Sequence, residues 1–234
     1  VPFTFHKPEI VTGIFPRRGP STGQTPVKVR GMNFVDSNGT HSSNGSTIAC
    51  RFGTVVVPAT FKTSFELLCI APSIRGIAAR MPLPHSVSFS VSNNGVDWPD
   101  LNGAHDSLAR FTYVSPISVR HLSPKSGPVE GGTSIIVHGL NFISSDVLQC
   151  RFGSPHLGGV GAVVTGSFLS ETSMLCKTPA LPAGRVTVEV TTNNVDYTTD
   201  SVQFEYKLQS AVHKITPYFG SVDGNTRVVV SGTS

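Results

Sequence analysis

Apolar and polar side chains alternate at Val27 and Val29, at Val87, Phe89 and Val91, at Ile135 and Val137, and at Val186, Val188 and Val190. A two-residue period places every second side chain on one face, which predicts half-buried strands. No segment carries a sustained helical stripe. Asn93-Asn94-Gly95 stands between alternating runs and predicts a tight hairpin there, with Asn193-Asn194 as its counterpart. The pattern as a whole predicts an all-β chain of short strands and frequent turns.

The turn residues recur. Pro16, Gly19, Gly23 and Gly31 return 108 positions later as Pro124, Gly127, Gly131 and Gly139, and after a further 93 as Pro217, Gly220, Gly224 and Gly232. Asn33-Phe34 answers Asn141-Phe142, and Cys50-Arg51-Phe52-Gly53 answers Cys150-Arg151-Phe152-Gly153. Cys69 and Pro72 answer Cys176 and Pro179, and the units close on Phe111-Thr112-Tyr113 and Phe204-Glu205-Tyr206. Internal repetition of this kind predicts serial domains of about a hundred residues each. The expected division is a closing strand of a preceding unit over 1–7, with Phe3 and Phe5 as its aromatic pair, then full units over 8–115 and 116–208. The first strands of a further unit then occupy 209–234. Such ends are those expected of a window on a longer array.

Composition sharpens this picture. Of 234 residues only 14% are charged, while Gly (23) and Pro (17) are abundant, which suits strands and turns. No run of eighteen apolar residues exists to cross a bilayer as a helix, so no membrane insertion is expected of this segment. The net charge of +4 is dispersed, densest at Arg17, Arg18, Lys28 and Arg30, and predicts no nucleic-acid partner. Four cysteines fall as Cys50 with Cys69 and Cys150 with Cys176, without the CxxC spacing of zinc or redox sites. Two disulfides are expected, each tying neighbouring strands near one end of a sandwich and contributing about 3 kcal/mol through loop closure. Disulfides persist in oxidising compartments. The sequons at Asn38 and Asn44, in one Asn/Gly/Ser-rich stretch, point the same way and predict N-glycans on an extracellular protein.

At this point the residues resemble the IPT/TIG family, an immunoglobulin-like fold shared by plexins and transcription factors. The stretch Pro124 to Tyr206 carries its pattern: a Pro-x-x-Gly start, a Gly-Gly-Thr turn, Gly-x-Asn-Phe, Cys-x-Phe-Gly, a second Cys before Pro, and a closing Phe-x-Tyr. The first unit departs in having Gly23-Gln24-Thr25 at the turn, and in longer insertions around the sequons and before Phe111. The resemblance implies tandem immunoglobulin-like β-sandwiches, within-domain disulfides and membership of a repeated array. It implies no single function, because the fold is a scaffold for many.

Candidate chemistry is sparse. No HExxH, G-x-S-x-G or phosphate-cradling motif occurs, so no enzyme, no cofactor and no structural metal are expected. Asp97, Asp100, Asn102 and Asp106 crowd one loop of the first unit and suggest Ca²⁺ as an alternative to simple turn hydrogen bonding, but their spacing is not that of an EF-hand. Trp98 in that loop is either an exposed contact residue or packed on its own domain. The expected function is a structural or adhesive extracellular stalk or fibre, with neighbouring copies or adjacent units as partners and strand addition as a route to polymerisation. The alternative is a plexin-like receptor ectodomain with a protein ligand. DNA binding and a carbohydrate-binding accessory role are further alternatives.

Overall fold

The structure, a computed structural model, describes residues 5–35, 48–78, 81–99, 110–153 and 161–233. The sequons at Asn38 and Asn44, and the residues Phe3, Asp100, Asn102 and Asp106, lie outside the described residues. Phe5 is exposed and belongs to no strand.

The first unit comprises β1 (Ile10–Phe15), β2 (Arg18–Pro20), β3 (Pro26–Met32), β4 (Ala49–Phe52), β5 (Val55–Thr63), β6 (Glu66–Ile70), a single-turn helix α1 (Arg75–Ala78), β7 (His85–Ser92) and β8 (Arg110–Val114). Their hydrogen-bonded order is β1-β3-β6-β5-β4-β7-β8-β2. The nine-residue β5 folds this ribbon into a sandwich, because Val55 to Pro58 pair with β4 while Ala59 to Thr63 pair with β6. Every pairing is antiparallel except β2 with β8, which is parallel.

The second unit repeats the plan with β9 (Ser118–Ser123), β10 (Ser126–Pro128), β11 (Ser134–Leu140), β12 (Gln149–Phe152), β13 (Ala162–Ser170), β14 (Ser173–Lys177), β15 (Gly184–Thr191) and β16 (Gln203–Lys207). Its long strand β13 changes sheets at Gly166 in the same way. The chain ends in a two-stranded ribbon of β17 (Ala211–Thr216) and β18 (Val229–Thr233).

Each full unit has its own core. One is built on Val27, Val29, Phe52, Phe89, Phe111 and Tyr113, the other on Ile135, Val137, Phe152, Val190, Phe204 and Tyr206. The alternating residues of β3 and β11 thus point inward, and edge-on aromatic pairs such as Phe111–Tyr113 and Phe204–Tyr206 fill the space between sheets. Each closing tyrosine also finds a polar partner: Tyr113 donates to the carbonyl of Pro72 and Tyr206 to that of Pro179, both at 2.9 Å.

The repeated glycines hold equivalent places in all three copies. A Cβ on Gly31, Gly139 or Gly232 would lie 2.2, 2.0 or 2.1 Å from the carbonyl oxygen of Ile10, Ser118 or Ala211 on the paired strand, so only glycine permits that approach. Gly23, Gly131 and Gly224 take φ of +80, +74 and +78°, a left-handed turn position. Pro16, Pro124 and Pro217 all follow cis peptide bonds.

Two expectations need correction. Cys50 on β4 and Cys69 on β6 are joined, as are Cys150 on β12 and Cys176 on β14, each with Cα atoms 6.4 Å apart. Neither bridge ties hydrogen-bonded neighbours. Each spans the two sheets, and separations of only 19 and 26 residues suffice because one strand, β5 or β13, carries the chain across. Asn93-Asn94-Gly95 also does not close a tight hairpin, since β7 ends at Ser92 and its partner β8 begins only at Arg110. It forms instead a side-chain-stabilised turn. Asn94 Oδ1 accepts from the backbone N–H of Val96 and Asp97, with Gly95 at φ +72°.

Candidate functional site

The most distinctive polar constellation lies where the two units meet. Its connection is short, with β8 ending at Val114 and β9 starting at Ser118. Both ends of that connection are held by their own units. The carbonyl of Val114 accepts from Ser21 N–H at 2.8 Å, and the carbonyl of Pro116 accepts from Asn141 Nδ2 at 2.7 Å. Asn141 can reach it because it takes a left-handed φ of 60°, as Asn33 does (φ 62°) where it donates to the carbonyl of Pro8.

Across the junction, Thr25 Oγ1 donates to Asp196 Oδ2 at 2.7 Å, and Asn193 Nδ2 donates to the carbonyl of Arg18 at 3.0 Å. Both partners are rigidly supplied. On the first unit, Thr25 sits behind the turn at Gly23 and packs against Gly19, where a Cβ would lie 2.2 Å from its Oγ1. On the second, Asn193 Oδ1 accepts from the N–H groups of Val195 and Asp196 at 3.0 and 2.8 Å, while its Nδ2 also donates to Asp196 Oδ2 at 2.7 Å. Thr25 is fully buried and Asn193 is 4% exposed, so water does not compete freely for these bonds. A cleft of about 230 Å³ beside them is lined by Gly19, Pro20, Ser115, Thr192 and Asp200 among others.

A wider cleft of about 700 Å³ also opens between the units. Arg17, Arg18, Ser86, Arg110 and Thr112 face Asn141, Phe142 and Glu171 there. Arg110 is braced by donation to the carbonyl of Ser86.

A second repeated device stands on each unit's β4-type strand. Arg51 lies over the Trp98 ring, 4.5 Å from its centroid, and Arg151 over the Tyr197 ring at 3.7 Å. Trp98 is thus half-buried against its own unit. Burial pushes the Tyr197 hydroxyl pKa upward, as does Glu189, whereas Arg151 pulls it down. The short, Pro-containing connection Val114-Ser115-Pro116 is legible in the sequence as a stiff link, whereas this stacking and the hydrogen bonds across the junction are not. The signal available for both is the return of Val96-Asp97-Trp98 as Val195-Asp196-Tyr197.

The candidate calcium loop is represented only by Asp97, whose Oδ2 accepts from Asn94 Nδ2 at 2.7 Å. Among the described residues no three His, Cys, Asp or Glu side chains gather as metal ligands. No helix among them is long and apolar enough to cross a membrane.

The family model for the IPT/TIG domain matches residues 9–113 and 117–206. The chain belongs to this family. Its two matched stretches coincide with the two sandwiches. Among curated relatives, human Plexin-A2 is 25% identical over 181 residues, 76% of this chain and 8% of the plexin. Mouse Fibrocystin-L is 26% identical over 194 residues, 79% of this chain and 4% of that protein. The chain therefore spans less than a tenth of the length of these relatives. Among solved structures, the Plexin A4 full extracellular region aligns over 97% of this chain and 18% of its own, with 19% identity and a TM-score of 0.47.

Proposed function

We propose that this chain is part of an extracellular structural or adhesive array, in which disulfide-tied IPT/TIG units stack end to end as a stalk or fibre. It has no catalytic role and no nucleic-acid partner in this reading, and Asn38 and Asn44 carry N-glycans. The single observation that supports it best is the junction. Three connecting residues, clamped at Val114 and Pro116, together with the bonds from Thr25 to Asp196 and from Asn193 to Arg18, leave little freedom for independent swinging. The two inter-sheet disulfides fit an oxidising compartment.

Small-angle scattering and electron microscopy of the chain test this. A particle of one fixed length, with a constant angle between units, is the expected result. Compact particles with a broad distribution of inter-unit angles would remove the stalk or fibre.

A second reading, a receptor ectodomain in which the units carry a ligand-binding region, draws support from the match to Plexin-A2. It predicts a protein ligand rather than self-assembly.

A further inference from the structure

His121 on β9 and His138 on β11 stand directly opposite each other in the ladder, and their rings are stacked with centroids 4.3 Å apart and planes 12° from parallel. Strand register makes this pair, for the two histidines have no metal-ligand spacing in the sequence. Both are turned to the outer face. On β9 the ladder is bulged, and Val119 and Leu122 are both buried, so Arg120 and His121 between them are exposed. On β11 Val137 and Gly139 are buried, and His138 between them is half-buried.

The scaffold does not require histidine at either place. Counting along the repeat, the first unit has Gly13 opposite Arg30 and the terminal ribbon has Lys214 opposite Ser231, each on a ladder with the same irregularity. The stacked rings are therefore an addition of the second unit to the shared plan. They stand within the strands of a complete sandwich, and neither lines the clefts between units.

We propose that His121 and His138 chelate a divalent late first-row transition ion, Cu²⁺ in preference to Zn²⁺. Imidazole nitrogen suits these ions, and affinity at a nitrogen site peaks at Cu²⁺. An ion about 2.0–2.1 Å from each of two nitrogens holds them about 3 Å apart, so the stacked rings need only toe in at their solvent edge. The ladder already keeps the two Cβ atoms within about 5.5 Å, so engaging the second ring needs little further ordering. Among the described residues no third His, Cys, Asp or Glu joins the pair, and water completes the coordination. On the far side of His138 its register partner is Ser173, whose hydroxyl is bonded to that of Ser170 at 2.7 Å, and the charged neighbour on β9 is Arg120. A site with no carboxylate, beside a guanidinium, holds its ion by nitrogen lone pairs, which selects against the oxygen-seeking Ca²⁺ and Mg²⁺. Because β9 is an edge strand, the ion clips the edge of the second unit to its sheet.

Calorimetric titration of the 234-residue chain with Cu²⁺, Zn²⁺ or Ca²⁺, beside His121→Gln, His138→Gln and the double variant, tests the site. The parent is expected to show one Cu²⁺ event set apart from weak binding by its other histidines, a weaker Zn²⁺ event and no Ca²⁺ event. Each single variant should lose about a hundredfold in Cu²⁺ affinity, the gain from tethering two ligands, and the double variant should behave like the singles. Unchanged melting without metal shows that the variants fold, and Cu²⁺ should raise the melting temperature of the parent alone. Electron paramagnetic resonance of the parent with one equivalent of Cu²⁺ gives a reading that needs no variant, and two imidazole nitrogens on the ion are expected. A strongest event indifferent to both substitutions overturns the proposal by placing the ion elsewhere. Loss on substituting only one histidine, or a spectrum with a single nitrogen, overturns the chelate, as does a parent that binds no more tightly than the double variant.

Discussion

Arg151 donates through both Nε and Nη2 to one carboxylate oxygen, Oε2, of Glu189, with the Nε bond at 2.7 Å. The side chains are only 14% and 9% exposed. The corresponding bond in the first unit runs from Arg51 Nε to the neutral hydroxyl of Ser90 at 3.1 Å. The same scaffold therefore holds a buried ion pair in one unit and a neutral hydrogen bond in the other.

Truncating the two arginines should therefore have unequal effects. Arg151→Ala strands a buried carboxylate and removes the stacking on Tyr197, so the second unit should lose about 3–5 kcal/mol. Arg51→Ala leaves a hydroxyl behind, removes the stacking on Trp98 and should cost the first unit about 1–2 kcal/mol. Chemical denaturation of each variant, followed by a probe in the affected unit, measures both. Equal losses would show that the charge on Glu189 is solvated.

The glycines of the paired strands can be ranked in the same way. Gly139→Ala would drive a methyl to within 2.0 Å of the Ser118 carbonyl oxygen, which cannot retreat without disturbing the β9–β11 ladder, and 2.6 Å of the Phe142 ring, which is fully buried in the core. A loss of at least about 2 kcal/mol is expected. Gly13→Ala meets nothing within 4 Å and should be neutral to within about 0.5 kcal/mol. Melting curves of the pair separate close approach from a general intolerance of side chains at strand glycines.

These glycines show why so much of the fold was legible. Backbone limits are local, so a Pro-x-x-Gly start or a left-handed turn writes itself into the sequence wherever it recurs, and the alternation of Val27 and Val29 records burial directly. The junction left weaker traces. Thr25 and Asp196 are separated by 171 positions, and nothing in either neighbourhood requires the other until both sandwiches are built. The sheet change along β5 is not read from the sequence, although Pro58 stands beside it, and that change is what lets Cys50 reach Cys69 across the sheets.

The first unit's departure from the Gly-Gly-Thr turn offers a gain. Gln24 adopts φ 70°, where the second unit has Gly132 at φ 79° and the terminal ribbon Asn225 at φ 63°. A glutamine in the left-handed region costs about 1–2 kcal/mol, partly offset by the greater unfolded-state freedom of glycine. Gln24 is exposed, and its backbone N–H bond to the Ala71 carbonyl at 2.8 Å does not depend on the side chain. Gln24→Gly should therefore stabilise the first unit by about 0.5–1 kcal/mol, seen as a higher denaturation midpoint with an unchanged slope.

Alkaline pH should act through the closing tyrosines. Burial pushes the Tyr206 hydroxyl from 10.0 up to about 12, partly countered by its hydrogen bond with Thr178, and burial raises Tyr113 as well. A folded-state pKa above the unfolded one means that the native chain holds its phenolic protons more tightly, so stability is intact below pH 10 and falls as the unfolded chain ionises first. For Tyr206 the loss runs from pH 10 to about 12. Tyr206→Phe removes the ionisable group along with the 2.9 Å bond to the Pro179 carbonyl. The variant should be about 1 kcal/mol less stable at neutral pH, and its second unit should lose less stability than the parent between pH 10 and 12. Urea titrations across that range measure the crossover, and parallel pH profiles for parent and variant would show that Tyr206 ionises no differently in the folded and unfolded chain.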